Sequence, residues 1–150
     1  MERSLVLIKP DGVRKNLQEQ IKERLTATGL EVIAEKEMQA DATLASEHYA
    51  DLGERKGEDV KRRMVTFMTS GPIVAWVIEG ENAIDEIRRI VGATLPCDAG
   101  EGTVRGDLGD HEETYDKCDG EDRAVENLIH ASDAPETAEE EIALWFPELS

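Results

Sequence analysis

The chain is poor in positive charge. Its 150 residues include 17 Lys and Arg against 34 Asp and Glu, which leaves a formal net charge of −17 at pH 7. A surface this negative repels nucleic-acid phosphates and anionic lipid headgroups, so we expect no nucleic-acid partner and no membrane association. The same acidity is typical of proteins kept soluble at high salt, where screening weakens the repulsion among carboxylates. The composition therefore favours, among other settings, a salt-rich, halophilic cytoplasm.

Long apolar runs and clustered cysteines are also absent from the sequence. No apolar stretch approaches the length of a membrane span, and the first residues lack the basic and then apolar build of a secretory signal. We therefore expect a cytoplasmic protein. Cys97 and Cys118 do not match a metal-ligand spacing, even with His111 between them, so we expect free thiols and no protein-held metal.

The apolar pattern alternates between strand and helix periods along one domain of ordinary length. Strands are predicted at residues 4–8, 30–38, 72–78 and 125–130. The second of these should have one solvent-exposed face. Helical stripes are predicted at residues 17–25, 44–52, 60–67, 83–91 and 134–146. This order folds most simply as an α/β (α+β), ferredoxin-like domain: a four-stranded antiparallel sheet in the split β-α-β arrangement, with helices covering one face.

Other segments are predicted to be irregular. Residues 9–12 (KPDG) have the composition of a turn, and residues 53–57 should separate two helices. Residues 98–126 are rich in acid and glycine and have almost no aliphatic side chains, so we expect a surface loop that supplies no core. Asp133 is expected to cap the last helix, with Glu136 bonding back to it.

His130 is the first candidate for chemistry, because it ends the fourth predicted strand. An imidazole nitrogen held there could attack a phosphorus or carbonyl centre at neutral pH. Glu141, on the apolar stripe of the last helix, could accept a hydrogen bond from the other ring nitrogen and orient the ring. A lone histidine at a strand end is more often a structural side chain, and that alternative stays open on these residues alone.

Three cations could neutralise an anionic substrate. Lys9 follows the first strand, although a solvated lysine is the commoner outcome there. Arg88 could equally be a surface cation paired with Asp85 or Glu86. Arg105 lies between glycines, where its guanidinium could reach phosphate oxygens.

Asn127 precedes His130 by three positions. On a regular strand that spacing places the two side chains on opposite faces. A shared face would need a bulge or a bend between them.

Five motifs occur in one order along essentially the full chain, and together they resemble the nucleoside diphosphate kinase family: LIKPDGV at residues 7–13, TSGP at 69–72, GAT at 92–94, GTVRGD at 102–107 and NLIHASD at 127–133. The resemblance implies a ping-pong phosphotransferase. His130 would take the γ-phosphoryl group of a nucleoside triphosphate and pass it to a nucleoside diphosphate. Mg²⁺ would arrive bridging the nucleotide phosphates.

The same resemblance implies the roles of the other site residues. Lys9 and Arg88 would bind phosphates, and Thr94 and Arg105 would hold the β- and γ-phosphates. Asn127 would reach the sugar hydroxyls and the neighbourhood of Lys9. Tyr49 would pack against His130, and Glu141 would hydrogen-bond the imidazole. A homo-oligomer is implied as well.

The chain departs from the family pattern in three places. A Pro-Phe-Phe element usually stacks on the base, whereas residues 57–61 (GEDVK) occupy a lengthened stretch here, which leaves Val60 or Lys61 to contact the base. An acidic insertion spans residues 108–126 and could cover the site, repel nucleotide or mediate a subunit contact. Leu95 stands where asparagine is common, in a loop that forms subunit contacts in the family.

Two other interpretations are compatible with these departures. The first is a catalytically weak or inactive relative that acts as a nucleotide-binding or regulatory interaction module. The second is an unrelated ferredoxin-like domain that senses small ligands. The intact His130, Lys9, Arg105 and Asn127 argue against the first, and the register of the five motifs argues against the second.

Overall fold

The computed structural model describes residues 1–149 and is built on one four-stranded sheet. Its strands are β1 (Glu2–Ile8), β2 (Glu31–Met38), β3 (Ile73–Gly80) and β4 (Ile129–Ala131). The spatial order is β2-β3-β1-β4, and each neighbouring pair is antiparallel. The predicted ferredoxin-like α+β class is confirmed.

Helices occupy most of the connections. They are α1 (Pro10–Arg14), α2 (Gln18–Thr26), α3 (Ala42–His48), α4 (Leu52–Lys56), α5 (Glu58–Met68), α6 (Ala83–Val91), α7 (Val104–Leu108), α8 (Tyr115–Gly120) and α9 (Pro135–Trp145). Single 3₁₀ turns lie at Pro96–Asp98 and Pro147–Leu149. Within residues 1–149, none of the helices has the length and hydropathy to cross a membrane.

Both faces of the sheet are covered by helices, so the prediction of a single covered face was wrong. Successive side chains of a strand point to opposite faces. Val6 and Ile8 of β1 pack in one cluster with α2 and α6, whereas Leu5 and Leu7 pack in a second cluster with α9. The central strands β1 and β3 are therefore buried on both sides, while the edge strand β2 alternates between more and less exposed positions as predicted.

Several segments that were predicted to be irregular are helical. Pro10 occupies the first turn of α1, where a proline costs no hydrogen bond, so residues 9–12 enter a helix instead of a turn. Residues 53–57 lie mostly within α4. At the start of α9 the capping residue is Ala134, without a side-chain cap, so the predicted cap at Asp133 was wrong.

The acidic stretch 98–126 is also more ordered than its composition suggested. It contains α7 and α8 and buries side chains. Val104 is fully buried, and Glu113 and Cys118 are nearly so. The expectation that this stretch contributes nothing to the interior was therefore wrong. These three buried side chains are enough to anchor the stretch to the rest of the domain.

Candidate active site

Lys9 follows directly after β1 and is buried, which excludes the solvated alternative. Its Nζ donates to Asn127 Oδ1 at 2.9 Å. Burial, with the nearby charge of Arg105, lowers the pKa of Lys9 to about 8. The side chain is thus a charged donor held at the end of β1.

A kink at Leu128 brings Asn127 and His130 to one side. Leu128 has φ 75°, in the left-handed region, and its N–H donates to Asp11 Oδ2 at 3.0 Å. Its carbonyl accepts from the N–H of Lys9 at 2.9 Å. Strand pairing consequently begins only at residue 129, and the predicted strand 125–130 is shorter at its start. The bend that a shared face required is present.

Asn127 and Arg105 connect this kink to the loop after α6. Asn127 Nδ2 donates to the carbonyl oxygen of Thr94 at 2.8 Å. Arg105 lies in α7, and its guanidinium donates to the carbonyl oxygens of Asn127, Gly92 and Ile129 at 3.2, 3.1 and 2.6 Å. Burial, and then repulsion from Arg88, lower the pKa of Arg105 to about 10. The arginine therefore orders the backbone of the site as well as bringing charge to it.

His130 and Glu141 form the pair that the sequence predicted. His130 Nε2 lies 3.0 and 3.1 Å from Glu141 Oε1 and Oε2. Ser132 Oγ donates to Glu141 Oε1 at 2.7 Å and accepts from the N–H of Leu5 at 3.1 Å, so β1 fixes the carboxylate. Burial alone would raise the pKa of Glu141, but the hydrogen bond and charge of His130 outweigh it and lower the pKa.

The tautomer of His130 follows from this arrangement. An ionised carboxylate can only accept, so the proton between the two groups belongs to Nε2 of His130. When the ring is neutral, Nδ1 therefore carries a lone pair, and no hydrogen-bond partner for it occurs among residues 1–149. The ring therefore presents a free nucleophilic nitrogen.

His48 lies beside His130, and Tyr49, whose packing against His130 stays a prediction, lies beside His48. The two imidazole rings meet edge to face with 4.6 Å between their centroids, and the Tyr49 ring meets the His48 ring in the same way. His48 Nδ1 accepts from Trp145 Nε1 at 3.0 Å, and burial, followed by repulsion from His130, lowers the pKa of His48 to about 3. His48 thus supports the His130 ring without adding positive charge.

Sequence reasoning missed His48, Asp11 and Ser132 as parts of this site. His48 has no periodic signal, and only its membership of a set of three histidines could have drawn attention to it. The hydroxyl of Tyr49 is buried and has no hydrogen-bond partner among the described residues. Burial raises the pKa of Tyr49, so this hydroxyl keeps its proton and can donate to a ligand.

A cleft of about 1430 Å³ opens over these groups. Nine of the ten predicted site residues line it: Lys9, Tyr49, Val60, Arg88, Thr94, Arg105, Asn127, His130 and Glu141. Lys61 does not belong to the lining within residues 1–149, and its contact with a base stays a prediction. Val60 lies one position earlier on α5 and lines the cleft.

The inner end of the cleft is positively charged although the chain is strongly acidic. Buried Lys9 interacts electrostatically with Arg105, and Arg105 with the more exposed Arg88, and all three line the cleft. The pairing with Glu86 that was considered for Arg88 is made by its neighbour Arg89. Three cations around a free imidazole nitrogen suit a substrate with several phosphate charges.

Comparison with known proteins decides the family. Residues 2–150 match the family model described as nucleoside diphosphate kinase. The chain belongs to that family. A nucleoside diphosphate kinase of Dehalococcoides mccartyi is 45% identical over 148 residues, which cover 99% of this chain and 94% of that one. One of Archaeoglobus fulgidus is 41% identical over 146 residues, covering 97% and 87%.

Solved nucleoside diphosphate kinases share the fold. A Borrelia burgdorferi kinase, determined as a transition-state mimic with vanadate and ADP, has a TM-score of 0.92 at 34% identity, covering 97% of this chain and 86% of that one. An NDP kinase of Pyrobaculum aerophilum has a TM-score of 0.87 at 33% identity, covering 97% and 95%. The chain is thus a phosphotransferase of the nucleoside diphosphate kinase family, and none of these comparisons favours the inactive alternative.

Proposed function

We propose that this protein transfers the γ-phosphoryl group from a nucleoside triphosphate to a nucleoside diphosphate by a ping-pong reaction through Nδ1 of His130. The observation that carries the proposal is the hydrogen bond between His130 Nε2 and Glu141, because it fixes the tautomer and leaves Nδ1 free. The vanadate and ADP bound to the Borrelia kinase support the same reaction class.

The transfer would proceed by in-line displacement. The Nδ1 lone pair of His130 forms a bond to the γ-phosphorus while the bond to the bridging oxygen breaks, and its electron pair leaves on the nucleoside diphosphate. Nε2 keeps its proton, so the phosphorylated ring is cationic, and ionised Glu141 stabilises that charge. A second diphosphate then attacks the phosphohistidine in the reverse of the first step.

The cations of the cleft would bind and polarise the phosphates. Lys9 is held by Asn127 within the same cleft as His130 and suits an oxygen of the transferred group. Arg88 and Thr94 are exposed to the cleft and suit the β- and γ-phosphates. Arg105 would bind the same phosphates with the N–H of Nη2 that carbonyls do not occupy, and the Tyr49 hydroxyl could donate to a non-bridging oxygen.

Mg²⁺ fits this site as an ion bound by the nucleotide and not by protein side chains. His48, His130 and Glu141 offer atoms within 4.8 Å of one another, but two of these ligands are nitrogens and all three groups are already hydrogen-bonded. Mg²⁺ prefers oxygen ligands and would take them from the β- and γ-phosphates, where it would neutralise charge that develops on the leaving diphosphate.

The two half-reactions can be separated experimentally. Incubation with a nucleoside triphosphate alone should yield a phosphorylated protein and free diphosphate. After removal of nucleotide, that protein should convert a different diphosphate to its triphosphate. A folded protein that transfers phosphate only when both nucleotides are present together would contradict the ping-pong proposal.

Glu141→Gln should lower kcat about 10- to 100-fold with little change in KM, because a charged hydrogen bond to the phosphorylated ring is lost. The amide can also donate to Nε2 and so move the ring proton to Nδ1, which blocks the nucleophile. Steady-state kinetics measure this effect. Glu139→Gln, an exposed neighbour on α9, is the matched control. Equal loss in both variants, or none in Glu141→Gln, would refute the role.

We further propose a cytoplasmic homo-oligomer, as the family resemblance implies, and adaptation of this protein to salt, on the basis of the net charge of −17. If the acidic surface repels itself, the melting temperature should rise by several degrees between low and molar KCl. Replacing the exposed Glu31, Glu54 and Asp85 by lysine should reduce that rise. A melting temperature that is flat or falls with salt would count against the adaptation.

A further inference from the structure

The outer part of the cleft lies between helix α5 and the segment 108–126. From α5, Val60, Arg63 and Met64 line it; from the segment, the lining includes Tyr115 and Asp119. Lys9 and Asn127 are buried in the cleft, whereas Val60 and Met64 are half-buried and Tyr115 is exposed. A nucleoside that extends outward from phosphates bound near Lys9 therefore enters the space between these two walls. The wall on α5 offers an aliphatic, a thioether and a guanidinium side chain but no aromatic ring.

Tyr115 is the aromatic side chain on the opposite wall. It is 55% exposed, although it lines the cleft, and it has no hydrogen bond or ring contact among the described residues. It is close enough to Arg105 to interact with it electrostatically. A ring in this position is available to a ligand that is bound by the same cations.

The segment that carries Tyr115 is firmly anchored. Thr114 caps α8 by accepting from the N–H of Lys117 at 3.1 Å, and Cys118 is buried beneath the helix. Arg63 of α5 bonds Asp119 at 2.7 Å and Asp122 at 3.0 Å across the two walls. The backbone of Tyr115 is therefore in place before a ligand binds, and little ordering entropy opposes the contact.

The base of the segment is held by a second set of charged bonds. Buried Glu113 accepts from Arg123 Nη2 at 2.7 Å and from the N–H of Glu126 at 2.8 Å. The hydrogen bond from Arg123 is the main cause that lowers the pKa of Glu113 to about 2. Several acidic groups of the segment are thus neutralised by arginines, which leaves the segment compatible with an anionic ligand in the neighbouring cleft.

We propose that Tyr115 is the aromatic contact for the nucleobase in this protein. The inference rests on the proposed function and specifies which residue holds the nucleoside. Every base has a π-face, so a single tyrosine ring opposite Val60 and Met64 would bind purines and pyrimidines with little discrimination. The segment 108–126 then supplies part of the substrate site and not merely a covering loop.

The test compares nucleotides that carry a base with one that does not. Phosphorylation of the enzyme is followed in single turnover with ATP, GTP, CTP and ribose 5-triphosphate. Tyr115→Ala should lower the second-order rate constant for the three nucleotides by about 5- to 100-fold and leave that for ribose 5-triphosphate unchanged. Tyr115→Phe should behave like the wild type.

Asp116→Ala is the matched control, because Asp116 is the exposed next residue of α8 and does not line the cleft. Melting temperatures of all variants check the fold. An equal loss with ribose 5-triphosphate, or no loss with any nucleotide, would overturn the role of Tyr115. Failure of the wild type itself to become phosphorylated would instead overturn the proposed function.

Discussion

His130→Ala should lower kcat/KM by at least about 10⁴-fold, because it removes the atom that bonds to phosphorus. The variant should also fail to retain phosphate after incubation with a labelled nucleoside triphosphate. A coupled assay with ATP and a second diphosphate measures the first effect, and isolation of the protein measures the second. The substitution should leave the fold intact, because His130 lies at the cleft surface with about a fifth of its side chain exposed.

The control for this experiment is His111→Ala. His111 is exposed, hydrogen-bonds the carbonyl oxygen of Gly106 and does not line the cleft. The His111→Ala substitution removes an imidazole outside the cleft, so this variant should retain full activity. Phosphoryl transfer by His130→Ala at the rate of the wild type would require another nucleophile and would refute the assignment of His130 as the nucleophile.

Lys9→Met should lower kcat/KM by about 10²- to 10³-fold, which is typical when one preorganised donor to developing charge is removed. The methionine fills a similar volume, but Asn127 loses the donor at its Oδ1. Part of the loss should therefore appear in kcat through misplacement of Asn127 and part in KM through weaker phosphate binding. Lys15→Met, an exposed lysine near α1, is the control and should have no effect.

The pKa of Lys9 adds a pH dependence to this prediction. Burial lowers this pKa from its ordinary value of 10.5 to about 8 in the folded protein, so the free protein loses the cation above pH 8. KM for nucleotides should rise from pH 7.5 to 9.5 in the wild type, and this rise should be smaller in Lys9→Met. The same KM profile in both proteins would show that Lys9 does not govern phosphate binding.

The same lowered pKa should make the folded protein more stable as pH rises, although nucleotide binding weakens. Between pH 8 and 10.5 the unfolded chain binds more protons at Lys9 than the folded protein does, so this group raises the free energy of unfolding as pH increases. The difference in melting temperature between the wild type and Lys9→Met should therefore shift in favour of the wild type across that window. Thermal unfolding at pH 7.5 and 10 measures this shift.

The parts of the fold that sequence predicted are those with a strong local period. The continuous apolar run of β1 and the alternation of β2 have direct physical causes, burial on two faces and burial on one. Short elements lack such a period. Helix α8 has six residues, and its ordering depends on Arg63 of α5 and on buried Cys118, which no local pattern reveals.

In the site, too, residues with a local sequence signal were predicted, and features that depend on distant contacts were not. The motifs indicated Lys9, Arg105 and His130 because each lies in a distinctive local run. The sequence named a bend between Asn127 and His130 only as a condition for a shared face, because the left-handed backbone of Leu128 is stabilised by Asp11, 117 positions away. Likewise the sequence pointed to Val60 and Lys61 for the base, whereas the fold brings an aromatic residue from the opposite wall.

The most direct test of the account is the position of the phosphoryl group on the protein. After reaction with a nucleoside triphosphate, the isolated protein should contain acid-labile, alkali-stable phosphate on His130, and heteronuclear NMR should place it on Nδ1. That result follows from the hydrogen bond that occupies Nε2. Phosphate on Nε2, on another residue or on none in a folded protein would contradict the central claim.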